Sequence, residues 1–330
     1  MCLYPQMIWL YPDPEDGHIT STMNRRVAQH NGGWKQEVPC GTCPECIYQK
    51  KQRRGVQAWC EAKTWRKNCF ITLTYNDENM PDDYSIHWSA VQLFMARLRK
   101  RCKGDMTVVY KGKEGRPIRS FGCGEYGDLA MVIPGCICKL GRPHFHIILF
   151  NFDFDDKYYW RDEDGRPVYR SPLLESLWTF GISEIEEVGV GSCMYVAGYV
   201  DKKKHQKSAE HYCIVDRVTG EVKFEREPEQ CHGSNRPGLG YFFLKKYRSD
   251  IVRDDFIMTS PGQKCNLPKY FDKLLALDED YFLQFMLNKD NRKQKGLENK
   301  KDEDWLRILQ REEYLYTLAK TRKTTKGIKL

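Results

Sequence analysis

The feature that most limits how this chain can fold is GRPHFHIILF, residues 141 to 150. Its aromatic and β-branched residues, closing on the uninterrupted apolar run Ile147 to Phe150, predict a strand over His144 to Phe150 at the centre of a sheet. Side chains at i and i+2 of a strand face the same way, so His144 and His146 project together while Phe145, Ile147 and Leu149 anchor the strand from behind. Two imidazoles so placed can bind one divalent ion. His-x-His alone is equally compatible with half-buried polar residues on a sheet.

The surrounding sequence supplies partners for that strand. CFITLTYND reads as a strand, Ile86 to Cys102 as an amphipathic helix with Trp88, Val91, Phe94, Met95 and Leu98 on one face. Met106 to Lys111 and Arg116 to Tyr126 read as strands joined by a turn at Gly112 to Gly115. Ser171-Pro172 signals a helix start, with Leu173 to Phe180 filling the helix and Gly181 stopping it, and Ile182 to Val188 alternates as a strand. Ser192 is placed to cap a helix carrying Tyr195 and Tyr199. Upstream, residues 1 to 39 read as an irregular arm and Ile47 to Asn68 as a basic helix interrupted only by Gly55. Downstream, 206 to 240 is polar apart from a hairpin across CIVDRVTGEVKFE, and the last hundred residues are charged and helical. The expected fold is α+β: a central antiparallel sheet of about five strands with flanking helices. Its divisions are 1–68, an arm, a Cys-rich segment and a basic helix; 69–205, the core; and 206–330, an irregular and helical extension with a basic tail.

Charge points to the partner. The 53 Lys and Arg exceed the 45 Asp and Glu, and the excess is clustered: Lys50 to Lys67, Arg97 to Lys103, Lys202 to Lys204, and the tail Lys320 to Lys329. Such clusters beside many Tyr and Trp residues favour nucleic acid. No apolar run reaches the length of a membrane span and no basic start precedes a long apolar region, so an intracellular, cytoplasmic protein without membrane contact is expected.

GEYG, residues 124 to 127, ends the strand preceding the histidines and offers Glu125 where an antiparallel neighbour could bring it beside them. Two imidazoles and a carboxylate suit Mn²⁺ or Mg²⁺ acting on phosphate oxygens. In GSCMYVAGYVDKKK, Tyr195 and Tyr199 share a helical face, an arrangement that also serves core packing, and Lys202 and Lys203 follow at i+3 and i+4 from Tyr199. A phenol, with a pKa of about 10, needs cationic or metal assistance to attack a phosphodiester.

The ordered set FITLTYND, GEYG, RPHFH and YVAGYVDKK, with MCLYP, PCGTCPEC and SNRPGLG, resembles the HUH-type rolling-circle replication initiators of small single-stranded DNA phages, the gokushovirus-like microviruses above all. The likeness runs from residue 1 to about 247. It implies an RRM-like palm and a single-strand DNA nicking and joining enzyme. By that resemblance His144, His146 and Glu125 hold the ion. Tyr195 and Tyr199 alternate as nucleophiles, forming a 5′-phosphotyrosyl link and a free 3′-hydroxyl. Lys202 or Lys203 stabilises the developing charge. Implied partners are single-stranded DNA at the phage origin and the host DNA polymerase and helicase. An HUH transposase, a plasmid relaxase and a non-catalytic nucleic-acid-binding protein are the competing readings. The connection DLAMVIPGCICKLG between GEYG and RPHFH is longer than expected, which makes the pairing of Glu125 with the histidines something the fold must answer.

Fourteen cysteines in a chain this long, without a signal segment, imply reduced thiols or metal ligation. Cys40, Cys43 and Cys46 form C-x-x-C-x-x-C, compatible with a structural Zn²⁺ whose fourth ligand is Cys2, Cys60, Cys136 or Cys138, and equally with reduced thiols packed at a helix start.

Overall fold

A computed structural model describes residues 2–15, 18–198 and 209–298, with 306, 309–311 and 313–314. The chain divides into two compact units, Met1–Lys50 with Leu287–Leu330, and Lys51–Met286.

In the first unit, strand β1 (Gln6–Pro12) pairs antiparallel with β2 (Ile19–Thr22) and, after helix α1 (Arg25–His30), with β3 (Trp34–Val38). Asn24 starts the helix, its side-chain oxygen accepting from the N–H groups of Arg26 and Val27. The irregular arm expected over 1–39 is therefore a small sheet. Its breakers sit in the turns, Pro14 after β1 and Gly32 ahead of β3 at φ +68°. No side chain of β1 is fully buried, so its sequence QMIWLYP carries no alternation to read.

Helix α2 (Pro44–Thr64) opens on a proline, where the missing N–H leaves nothing unsatisfied. It starts and stops earlier than the expected Ile47–Asn68. Asn68 instead opens β4 (Asn68–Tyr75) and closes the helix end, its amide donating to the Ala62 and Trp65 carbonyls. Gly55 does not interrupt α2. A Cβ there would lie 2.2 Å from Met194 Sδ, so glycine permits the close approach of two helices.

After β4 come helix α3 (Trp88–Arg101), a short hairpin of β5 (Val108–Tyr110) and β6 (Lys113–Gly115), and β7 (Arg119–Tyr126). The long connection contains β8 (Cys136–Ile137) and leads into β9 (Pro143–Phe150). A hairpin of β10 (Tyr158–Glu163) and β11 (Arg166–Arg170) precedes α4 (Pro172–Leu177), β12 (Gly181–Glu186) and α5 (Val190–Gly198). Further along lie β13 (Cys213–Asp216) and β14 (Val222–Glu225), the expected hairpin, then β15 (Gln230–Gly233). Helices Tyr241–Asp254, Lys269–Leu275 and Phe282–Glu298 follow, with a small hairpin between the first two. Among the described residues no helix is long and apolar enough to cross a membrane.

The sheet is antiparallel and seven-stranded, in the order β10-β11-β12-β4-β9-β7-β15. It exceeds the expected five strands at its edges. The β10–β11 hairpin turns on Asp164 and Gly165, both at positive φ, but its strands carry so many exposed charges that no apolar alternation marks them. β15 has four residues and exists by pairing with β7.

β9 lies between β4 and β7 and is covered on both faces. Phe145, Ile147 and Leu149 are buried with Ile71 and Leu73 of β4 and with Val91, Phe94, Met95 and Leu98 of α3. On the histidine face, Ile148 and Phe150 are buried with Ala58 and Ala62 of α2 and Cys193, Val196 and Ala197 of α5. Burial on both sides is why the second half of β9 is uninterrupted apolar sequence.

SNRPGLG, residues 234 to 240, is held by a buried ion pair. Glu61 of α2, fully buried, accepts from Arg119 Nε at 2.5 Å, from Trp65 Nε1 at 2.9 Å and from the Gly240 N–H at 2.6 Å. Arg119 in turn donates to the carbonyls of Pro237 and Gly238, and Gln57 donates to that of Leu239.

Candidate active site

The register of three strands assembles the site. Glu125 of β7 lies directly across from His144 of β9, and Thr72 of β4 lies directly across from His146. The long connection from GEYG to RPHFH leaves this pairing intact, because it folds outward, with Gly127 and Met131 donating to the Arg142 and Leu140 carbonyls and β8 pairing with β13.

One carboxylate oxygen is the centre of the cluster. Glu125 Oε1 lies 2.9 Å from His144 Nε2, 2.8 Å from His146 Nε2, and accepts the Tyr195 hydroxyl at 2.6 Å. The three side chains of the clamp are nearly buried, at 7% exposure for Glu125, 16% for His144 and 13% for His146, whereas Tyr195 is 42% exposed. The phenol thus reaches from solvent down to a shielded carboxylate.

Each imidazole is aimed by its other nitrogen. His144 Nδ1 lies 3.0 Å from the Arg142 carbonyl, which can only accept, so Nδ1 carries a hydrogen and Nε2 is the atom left to bind a cation. His146 Nδ1 meets the Thr72 hydroxyl at 3.0 Å, and its ring stacks on Phe70 at 5.4 Å with the planes 5° apart. The Tyr195 ring meets the edge of His146 at 5.1 Å. Thr72 and Phe70 went unassigned from sequence; the signal was the alternation of FITLTYND, which puts Phe70, Thr72 and Thr74 on one face.

Burial alone would raise the Glu125 carboxyl, but hydrogen bonds from His144 and His146, the charge of His146 and the Tyr195 hydroxyl outweigh it and hold the group well below the usual carboxylate range. For His144, burial opposes protonation, yet the hydrogen bond and charge of Glu125 and the Arg142 carbonyl prevail and raise its pKa. A proton on His144 Nε2 therefore occupies the position a cation would take. The ligand atoms of Glu125, His144 and His146 lie within 4.8 Å of one another, and a carboxylate with two imidazoles fits a divalent ion of the Mn²⁺ class.

Without metal, the stabilisation from charged His144 is complete below the unfolded value of about 6.5 and is lost as pH rises through the raised folded value. Because binding must displace that proton, Mn²⁺ affinity is expected to weaken as pH falls and binding to release protons, measurable by calorimetry in buffers of different ionisation enthalpy. An affinity constant across about pH 6 to 8 contradicts this assignment.

Tyr195 is delivered by α5, which begins at Val190. Ser192 is therefore not the residue before the helix but lies in its first turn, accepting from the Gly189 N–H at 3.1 Å. Tyr199, Lys202 and Lys203 lie outside the described residues. Of the cysteines, Cys2, Cys40, Cys43 and Cys46 form a second cluster, while Cys60, Cys136 and Cys138 are not part of it. No two of the cysteines are joined in a disulfide.

Residues 68–204 match the family model of the Replication-associated protein ORF2. The chain is 29% identical over 236 residues to Replication-associated protein VP4 of Bdellovibrio phage phiMH2K, covering 71% of this chain and 65% of that protein. It is 29% identical over 243 residues to Replication-associated protein ORF4 of Chlamydia phage 1, covering 72% and 53%. With Replication-associated protein ORF2 of Spiroplasma virus 4 the identity is 28% over 307 residues, covering 87% and 85%. The chain thus spans less than two thirds of the length of the first two relatives. No solved structure matches it. Over the region that holds Glu125, His144, His146 and Tyr195, the chain carries the domain of the replication-associated protein ORF2 family.

Proposed function

We propose that this protein initiates phage DNA replication by nicking and rejoining single-stranded DNA at the origin, with the Tyr195 phenol as a nucleophile. The observation that carries this reading is the 2.6 Å hydrogen bond from the Tyr195 hydroxyl to Glu125 Oε1, the oxygen that also meets both histidines. By accepting the O–H, Glu125 turns the phenolic oxygen's lone pairs away from itself, toward the exposed side where a phosphodiester can approach.

In the reaction the Tyr195 oxygen bonds to phosphorus as the bond to the 3′-oxygen breaks. The phenol loses its proton and the departing oxygen gains one, leaving a 5′-phosphotyrosyl ester and a 3′-hydroxyl primer. One ester replaces another, so neither nicking nor rejoining needs ATP. Mg²⁺ or Mn²⁺ held by Glu125, His144 and His146 would polarise the phosphate and stabilise its developing charge. Tyr199 makes the second cut that closes the circle, and Lys202 or Lys203 neutralises charge on the phenolate or phosphate; these roles rest on the sequence and its resemblance. The antiparallel core is read as the RRM-like HUH palm. The host polymerase extends the 3′-hydroxyl and a host helicase opens the duplex, in the bacterial cytoplasm.

The test is a covalent adduct. Incubation with origin-bearing single-stranded DNA and Mn²⁺ is expected to give a protein–DNA band on a denaturing gel, lost when Tyr195→Phe and Tyr199→Phe are combined. No adduct from the wild type, or an undiminished one from the double variant, would sink the mechanism. DNA binding without any adduct would leave a non-catalytic binding protein.

A further inference from the structure

We infer that Cys2, Cys40, Cys43 and Cys46 bind one zinc ion as a closed tetrathiolate site that holds the first compact unit together. The ligand atoms of all four lie within 4.8 Å of one another. Cys2 and Cys43 sulfurs are 3.9 Å apart, and Cys40 and Cys46 sulfurs 4.0 Å. A tetrahedral ion with metal–sulfur bonds of about 2.3 Å sets its sulfurs about 3.8 Å apart, so the observed spacings need only tenths of an ångström of adjustment.

C-x-x-C-x-x-C also occurs in iron–sulfur proteins, and the geometry separates the two cases. In a four-iron cluster each cysteine binds a different iron, which spreads the sulfurs well beyond the spacing around a single ion. Here all four converge on one point. A pair of disulfides would require S–S bonds of about 2.05 Å, far shorter than either contact.

Hydrogen bonds support thiolates at this point. The Leu3 N–H donates to Cys43 Sγ at 3.4 Å, the Cys40 N–H to Cys2 Sγ at 3.2 Å and the Cys43 N–H to Cys40 Sγ at 3.4 Å, while the Thr42 hydroxyl donates to Cys40 Sγ at 3.6 Å. Backbone amides turned toward sulfur stabilise negative charge there.

The unit also lacks another means of holding itself. Among its described residues the buried apolar side chains are Leu3, Ala28 and Cys43, and no strand of its sheet contributes a buried residue. A unit this small with so little core needs a staple. The sulfurs join the chain before β1 to the loop after β3 and the first turn of α2, closing the sheet at one end. Four thiolates leave no position for water, so the ion is structural and takes no part in phosphate chemistry.

The full chain, purified under reducing conditions without chelator, is expected to carry one zinc ion per chain by elemental analysis, and Cys43→Ser or Cys2→Ser to carry none. The variant combining His144→Ala with His146→Ala is expected to keep its zinc, which separates this inference from the fate of the nicking mechanism. Should a cysteine variant fail to fold, cobalt exchanged into the wild type is expected to give the visible bands of tetrahedral cobalt thiolate. Iron in place of zinc, zinc retained by both cysteine variants, a mass deficit showing disulfides, or no bound metal with all four thiols reactive with and without chelator would each overturn it.

Discussion

Replacing His144 and His146 together with alanine is expected to lower cleavage of single-stranded DNA by about a thousandfold or more while leaving DNA binding largely intact. An ion that stabilises charge on a phosphoryl oxygen contributes several kcal/mol to the transition state, and each 1.36 kcal/mol is about tenfold in rate. Both imidazoles present Nε2 to Glu125 Oε1, so their loss removes two ligand atoms and leaves a single carboxylate. Phe145, Ile147 and Leu149 remain buried on the opposite face, so β9 keeps its anchors. The buried Glu125 carboxyl loses two partners, which costs about 1 to 3 kcal/mol of stability and is separable from the rate effect by measuring unfolding alongside cleavage. Cleavage within tenfold of wild type in Mn²⁺ would refute the clamp.

The largest loss of stability is expected from Glu61→Ala. Arg119 is 4% exposed and Glu61 not at all, so removing the carboxylate strands a guanidinium and leaves the Trp65 and Gly240 N–H groups without their acceptor. Breaking a buried pair from one side costs about 3 to 5 kcal/mol, which for a unit of this size lowers the melting temperature by roughly 6 to 20 °C. Glu61→Gln, which keeps the shape and one acceptor oxygen, is expected to lose less. A melting temperature within a degree or two of wild type after Glu61→Ala would mean that SNRPGLG is held by other contacts.

The parts that could be read from sequence share one physical property: their side chains alternate between a buried and a less buried face, or their ends carry a dedicated cap. β4, α3, β7 and β9 satisfy the first condition. Ser171 satisfies the second, accepting from the Leu174 N–H as its position before Pro172 predicts. His144, His146 and Glu125 were legible because strand geometry relates i to i+2 and one antiparallel pairing brings the third residue across.

What escaped lacks such a local signature. Thr72 acts on His146 through a cross-strand register that spacing within one strand cannot reveal. Cys2 is separated from Cys40 by 38 residues, and only the three-stranded sheet between them brings it back. That sheet escaped because its strands bury too little to alternate. β10 and β11 escaped because a hairpin with both strands largely exposed reads as a charged loop despite its Asp-Gly turn. Gly55 reads as a helix breaker, whereas a packing contact with Met194 is what requires it.

Covalent joining of DNA to the Tyr195 hydroxyl, held at Glu125 beside the two histidines, is the step on which the proposed mechanism stands. Its most direct test is mass spectrometry of the peptide that remains attached to an origin oligonucleotide after cleavage in Mn²⁺ and proteolysis. The expected result is a phosphotyrosyl linkage at Tyr195 in the wild type, with any remaining adduct moved to Tyr199 in Tyr195→Phe. DNA joined to a serine, a cysteine or a tyrosine elsewhere, or cut strands with free 5′-phosphates and no attached peptide, would contradict it.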